Sequence, residues 1–166
     1  MEASATGGLQ ELRFALFQAL QRGQLNISVF GTSMTYGMGC AIMNKDLLDN
    51  RRFRNWLYPE DQKPRPSWVG RLQEILETGI NKTWKVHIEN QARPSDKSSM
   101  FSHRFSIYRG LLERTDLVIF DFRINDGISL ENARAAVQAA RLVQSMPRPP
   151  AILFLETFGG TALMAK

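Results

Sequence analysis

The chain has 166 residues, of which 43% are hydrophobic and 22% charged, a size and balance that suit a single globular domain. No apolar run approaches the ~20 residues needed to cross a bilayer, and the lone Cys40 excludes an internal disulfide framework. The formal charge of +5 would favour a nucleic-acid partner only if the basic residues clustered; Arg51, Arg52 and Arg54 form the densest group and the rest are scattered among acids, so no nucleic acid is expected.

The N-terminus, Met1 to Gly8, lacks the basic start and apolar core of a secretory signal, which leaves the cytoplasm as the expected compartment. Leu9, Leu12, Leu16 and Leu20 recur at helical spacing and predict an amphipathic helix over 9–21, on the flank of the domain. This divides the chain into an N-terminal helical segment, 1–24, and a domain over 25–166. Ile27 to Phe30 is the first strand, stopped by Gly31. Residues 44–66 are polar, carry no sustained periodicity and read as a long connection.

Ser67 then caps a helix whose apolar face is Val69, Leu72, Ile75 and Leu76 and whose stop is Gly79. Trp84, Val86 and Ile88 alternate with Lys85, His87 and Glu89, the pattern of a strand with one face buried, as at a sheet edge. Phe101, Phe105, Tyr108 and Leu112 mark one helix before Asp116. Leu117 to Phe120 and Ala151 to Leu155 are continuous apolar runs, expected for central strands of a parallel sheet covered on both faces. Between them Ser129 caps a helix with Leu130, Ala133, Val137 and Ala140 inward, ending before Pro147. Strands alternating with helices predict right-handed crossovers and a doubly wound parallel α/β sheet, whose ligand crevice lies beyond the carboxyl ends of the strands.

Three polar blocks fall at those ends. Gly31-Thr32-Ser33-Met34-Thr35 places a hydroxyl just past the first strand; a serine there is either a nucleophile or a plain turn and cap residue. Asp121 to Gly127 puts Asn125 and Asp126 after the third strand, as an ordinary turn or as a side-chain amide facing the same crevice. Asn90 to Ser99, after the edge strand, is a polar loop able to supply a backbone N–H.

Together the blocks resemble the SGNH hydrolase superfamily of GDSL-like lipases and esterases, with its Gly-Asp-Ser-like block, its glycine-bearing block after the second strand and its Gly-x-Asn-Asp block after the third. The resemblance covers roughly 26–156 and implies a three-layer, flavodoxin-like sheet in the order 2-1-3-4-5, here apparently cut off after the fourth strand. It implies Ser33 as nucleophile and first oxyanion donor, Asn125 as a donor through its amide, and Ser95 as a backbone donor standing where the family has glycine. Thr32 replaces the usual aspartate, and Arg123 replaces the glycine of the third block.

The family's base comes from an Asp-x-x-His block after the last strand. This chain has two histidines: His87, in the alternating strand, and His103, just before or at the start of a helix, with no aspartate three residues before it. Neither fits that block, so the chain as it stands is expected to be nearly inactive. The function implied is that of a serine esterase or acyl hydrolase acting on lipid or carbohydrate esters. The alternative is a catalytically lapsed SGNH fold serving as a carbohydrate- or protein-binding module. No cofactor or metal is expected, because the histidines and the cysteine have no ligand spacing. An apolar strand 151–155 left at the sheet edge would favour self-association.

Overall fold

A computed structural model describes residues 6–36, 67–79, 84–127 and 129–155; the connection expected over 44–66, with its arginine group, lies outside them. In chain order the elements are α1 (Thr6–Arg22), β1 (Gln24–Gly31), α2 (Ser33–Tyr36), α3 (Trp68–Gly79), β2 (Lys85–Asn90), α4 (Ser98–His103), α5 (Phe105–Leu112), β3 (Leu117–Asp121), α6 (Arg123–Asp126), α7 (Leu130–Gln144) and β4 (Ala151–Phe154). The strands form one parallel sheet in the order β2-β1-β3-β4. The step from β1 to β2 runs opposite to the later steps, so right-handed crossovers put α3 on one face and α4, α5 and α7 on the other.

Alternation along the strands divides the core into two layers. Leu25, Ile27 and Val29 share one face with Val86, Ile88, Leu117, Ile119 and Ala151, beneath α1 and α3. Phe30, Val118 and Phe120 point the other way, into Phe101, Tyr108 and Leu112 of α4 and α5 and Ala139 and Val143 of α7. Here Phe30 meets Phe101 edge-on at 4.8 Å and Tyr108 at 4.9 Å, and Phe101 meets Phe120 at 4.8 Å, the geometry that ring quadrupoles favour. The expected caps are in place: Ser67 Oγ accepts from Gly70 N at 3.2 Å and Ser129 Oγ from Asn132 N at 3.1 Å.

Four expectations need correction. Helix α1 crosses the sheet face and touches β1 and β4 instead of lying on a flank, with Leu12, Ala15, Leu16 and Ala19 inward. Leu9 and Leu20 sit at the margin of that stripe and stay half exposed. The helix expected over 101–112 breaks at Arg104 (φ −101°, ψ 7°), whose guanidinium is drawn out of line to Asp96.

Helix α7 is rotated from its expected phase. Ala139 and Val143 are buried, whereas Leu130 and Val137 are 67% and 51% exposed. The inward face is Asn132, Ala136, Ala139 and Val143, because alanines let α7 lie close on α4 while the Asn132 amide donates to the Asp126 carbonyl. Strand β4, expected to be central, pairs only with β3 among the described residues and leaves Leu153 and Phe154 partly exposed.

The layered core makes a direct prediction. Leu112→Ala, at a fully buried position, should cost about 2–5 kcal/mol in denaturant unfolding, and Ile107→Ala, on the exposed side of the same helix, less than about 0.5 kcal/mol. Equal losses from the two substitutions would contradict this packing.

Candidate active site

Strand β1 ends at Gly31, in register with Asp121 at the end of β3. The loop after β2 continues the ladder on the other side of β1: Gln91 N donates to Val29 O at 2.8 Å and Arg93 N to Gly31 O at 3.1 Å. Ser33, the 91–97 loop and α6 with Asn125 therefore leave the same, carboxyl-terminal end of three adjacent strands. Asn125 Nδ2 donates to the Asp96 carbonyl at 2.9 Å, which ties the third block to the second.

The turn carrying Ser33 is fixed by close contact. A β-carbon on Gly31 would lie 2.3 Å from Thr35 Oγ1 and 2.7 Å from its Cβ, so only glycine lets the strand end pass beneath Thr35. Thr35 Oγ1 donates to Asp121 Oδ2 at 2.6 Å, and both residues are buried. Asn90 Nδ2 donates to the Thr35 carbonyl at 3.0 Å while Asn90 Oδ1 accepts from Ala92 N at 3.1 Å. One turn is thus held by both neighbouring strands. Thr32 is fully buried, and its hydroxyl meets no hydrogen-bond partner among the described residues.

Ser95 has φ +65°, the only non-glycine residue with positive φ among those described. That is the left-handed conformation that favours glycine, and it falls at the position where the sequence resemblance sets a glycine. The adjoining Asp96 carboxylate accepts from Arg104 Nη1 at 3.0 and 2.9 Å. Burial works against the charge of Arg104, but the hydrogen bond and charge of Asp96, joined by Tyr108, outweigh it and hold the guanidinium above its ordinary range. Beside these, the Asp126 carboxylate accepts both the backbone N–H of Ser98, at 3.1 Å, and the Ser98 hydroxyl. Arg123 folds back over α6 and donates to the Gly127 carbonyl.

The sequence places the blocks that contain Thr35, Asp96, Ser98 and Asp121 at this end of the sheet but marks none of these four side chains for a part in it, and Arg104 lies outside the three blocks. Asp121 had one readable signal, a carboxylate closing a fully apolar strand.

The histidines lie elsewhere. His87 is exposed, 3.4 Å from Glu89, and pairs in register with Asn26, five residues or about 16 Å of strand before Gly31. His103 is exposed at the end of α4, with Nδ1 2.7 Å from the Ser99 carbonyl. Beyond α6, on the aromatic face, a cavity of about 710 Å³ is walled by Phe120, Phe122, Ala136, Val137 and Phe154, with Asp126 also in its lining. Among the described residues no group of His, Cys, Asp and Glu is arranged to hold a metal, and no helix is long and apolar enough to cross a membrane.

No family model and no curated protein matches the sequence. The architecture does match solved structures. A two-domain esterase active on acetylated mannans superposes with TM-score 0.59 at 19% identity, over 84% of this chain and 33% of that one. TesA gives 0.52 at 20% identity, over 82% and 63%. A W215I variant of Axe2, an acetyl xylan esterase from Geobacillus stearothermophilus, gives 0.53 at 14% identity, over 81% and 60%. The chain thus spans between a third and two thirds of the length of these structures, and it shares their fold: a parallel α/β sheet covered by helices on both faces.

Two substitutions probe the backbone described here. Gly31→Ala should lower Tm by several degrees, since it drives Thr35 off Asp121. Ser95→Gly should raise stability by about 0.5–1 kcal/mol by relieving the left-handed serine. Thermal unfolding of the two variants beside the parent checks both signs.

Proposed function

We propose that the chain carries the nucleophile and oxyanion-binding half of a serine ester hydrolase, acting on an ester-linked acyl group of a carbohydrate or lipid. The observation that carries this reading is Ser95: a serine held at φ +65° in the loop hydrogen-bonded both to the strand before Ser33 and to Asn125. A backbone turned that way at that point suits an inward N–H donor. The esterase activities of the structural neighbours, two of them on acetylated polysaccharides, support the substrate class.

In the proposed step Ser33 Oγ adds to the acyl carbonyl carbon as its proton passes to a base. The carbonyl oxygen becomes an oxyanion facing the N–H groups of Ser33 and Ser95 and the amide of Asn125. Collapse expels the alcohol, which takes up the proton, and water then hydrolyses the acyl-serine. Preorganisation matters here because donors held in place cost no reorganisation when charge develops.

Neither histidine of the chain is placed to serve as the base, so a base supplied from solution should reveal the site. With p-nitrophenyl acetate and added imidazole, the protein should raise nitrophenol release by about tenfold or more over Ser33→Ala under the same conditions. Equal rates for the two proteins would overturn the assignment of Ser33. A catalytically lapsed binding module is the reading that outcome would leave, in line with Arg123 at a glycine position.

We also propose that self-association runs through β4, whose outer side has no partner strand among the described residues and whose Leu153 is partly exposed. Leu153→Lys should abolish concentration-dependent association in sedimentation velocity; unchanged sedimentation in an associating parent would contradict it.

A further inference from the structure

Two of the three proposed oxyanion donors ride on separate pieces of chain, Ser95 on the loop after β2 and Asn125 on the single turn α6. An oxyanion hole works only if its donors keep their mutual spacing within a fraction of an ångström. Neither piece has the length to hold itself rigid, so the spacing depends on whatever joins them.

Two links do so. Asn125 Nδ2 donates to Asp96 O at 2.9 Å, but this link uses the amide that is itself proposed to bind the oxyanion. The second link leaves that amide alone. The Asp126 carboxylate, 9% exposed, accepts through one oxygen from Ser98 N at 3.1 Å and through the other from the Ser98 hydroxyl, and Ser98 is 1% exposed. Lys97, which precedes α4, makes no side-chain cap, so Asp126 supplies from α6 the acceptor that a helix start ordinarily finds next to itself. On its other side the Asp126 carbonyl accepts from the Asn132 amide, anchoring α6 to the long helix α7. The end of the loop that carries Ser95 is held in turn by the Arg104–Asp96 pair. Asp126 is thus the joint between two supported parts, three residues in sequence from Ser95 through Ser98 and one from Asn125.

We propose that Asp126 is the positioning residue of the site: its two hydrogen bonds to Ser98 set the separation of the Ser95 N–H from the Asn125 amide. This rests on the serine-hydrolase reading above. Loss of the carboxylate should weaken binding of a tetrahedral adduct at Ser33 more than it weakens the fold. Asparagine should largely restore it, because its oxygen can accept from Ser98 N while its amide donates to the Ser98 hydroxyl, now reversed.

Butylboronic acid tests this without turnover, since the serine oxygen adds to boron as its proton is released to the buffer, and the tetrahedral adduct presents a boronate oxygen to the hole. Its dissociation constant is measured calorimetrically, with ¹¹B NMR to register the tetrahedral adduct, at a temperature where every variant is folded by circular dichroism. The parent should bind and Ser33→Ala should not. Asp126→Ala should bind about tenfold or more weakly and Asp126→Asn within about threefold of the parent. Binding of Asp126→Ala at parental affinity overturns the proposal while leaving Ser33 in place, whereas failure of the parent to bind overturns the hydrolase reading itself. Should Asp126→Ala not fold, Ser98→Ala decides, as it removes one of the two hydrogen bonds: unchanged affinity there refutes the joint.

Discussion

The hydrogen bond from Thr35 to Asp121 is the constraint around which the carboxyl end of the sheet is arranged. It joins residues 86 apart in sequence and can form only because Gly31 leaves room for Thr35 to lie on the strand end. With Asn90 holding the Thr35 carbonyl from the opposite side, the turn after β1 is fixed to both neighbours. The buried carboxylate and hydroxyl satisfy each other where either alone would be costly. Strand register does the remainder, since parallel pairing of β1 with β2 and β3 brings their following loops to one edge.

The two layers of the core serve this edge differently. The aliphatic layer under α1 and α3 is filled by branched residues of alternating register. The aromatic layer places Phe30, Phe120 and Phe122 on the side from which α4 and α6 approach the loop ends. Rings packed edge to face resist rotation, and α4 enters this cluster through Phe101 only three residues after Ser98. Loop geometry near Ser95 is therefore coupled to a rigid aromatic core, and not to the mobile surface that a polar loop of this composition usually occupies.

Much of this was legible in the sequence, for identifiable reasons. Continuous apolar runs at 117–120 and 151–155 and strict alternation at 84–89 specify strands, with the burial of β2 and β3 though not of β4, and the spacing of polar blocks gives their common edge. The caps at Ser67 and Ser129 followed from local chemistry alone. The phase of α7 did not, because alanines at 133, 135, 136, 139 and 140 carry almost no periodic contrast and the choice fell to close packing on α4. The break at Arg104 depended on a partner eight residues earlier, and the Ser98–Asp126 link on one 28 residues later. Such pairings join residues that are individually unremarkable polar side chains, so nothing in local propensity marks them.

Helix α1 packs against β1, its immediate successor, and against β4, more than a hundred residues further on. During synthesis α1 emerges before β1 and β4, the strands it touches, yet the apolar face it shelters gains β4 only after Ala151 has been made. Until then Leu12, Leu16 and the aliphatic side of β1 have only part of their covering. The N-terminal helix therefore closes this layer late, and its sequence must stay soluble in the interval.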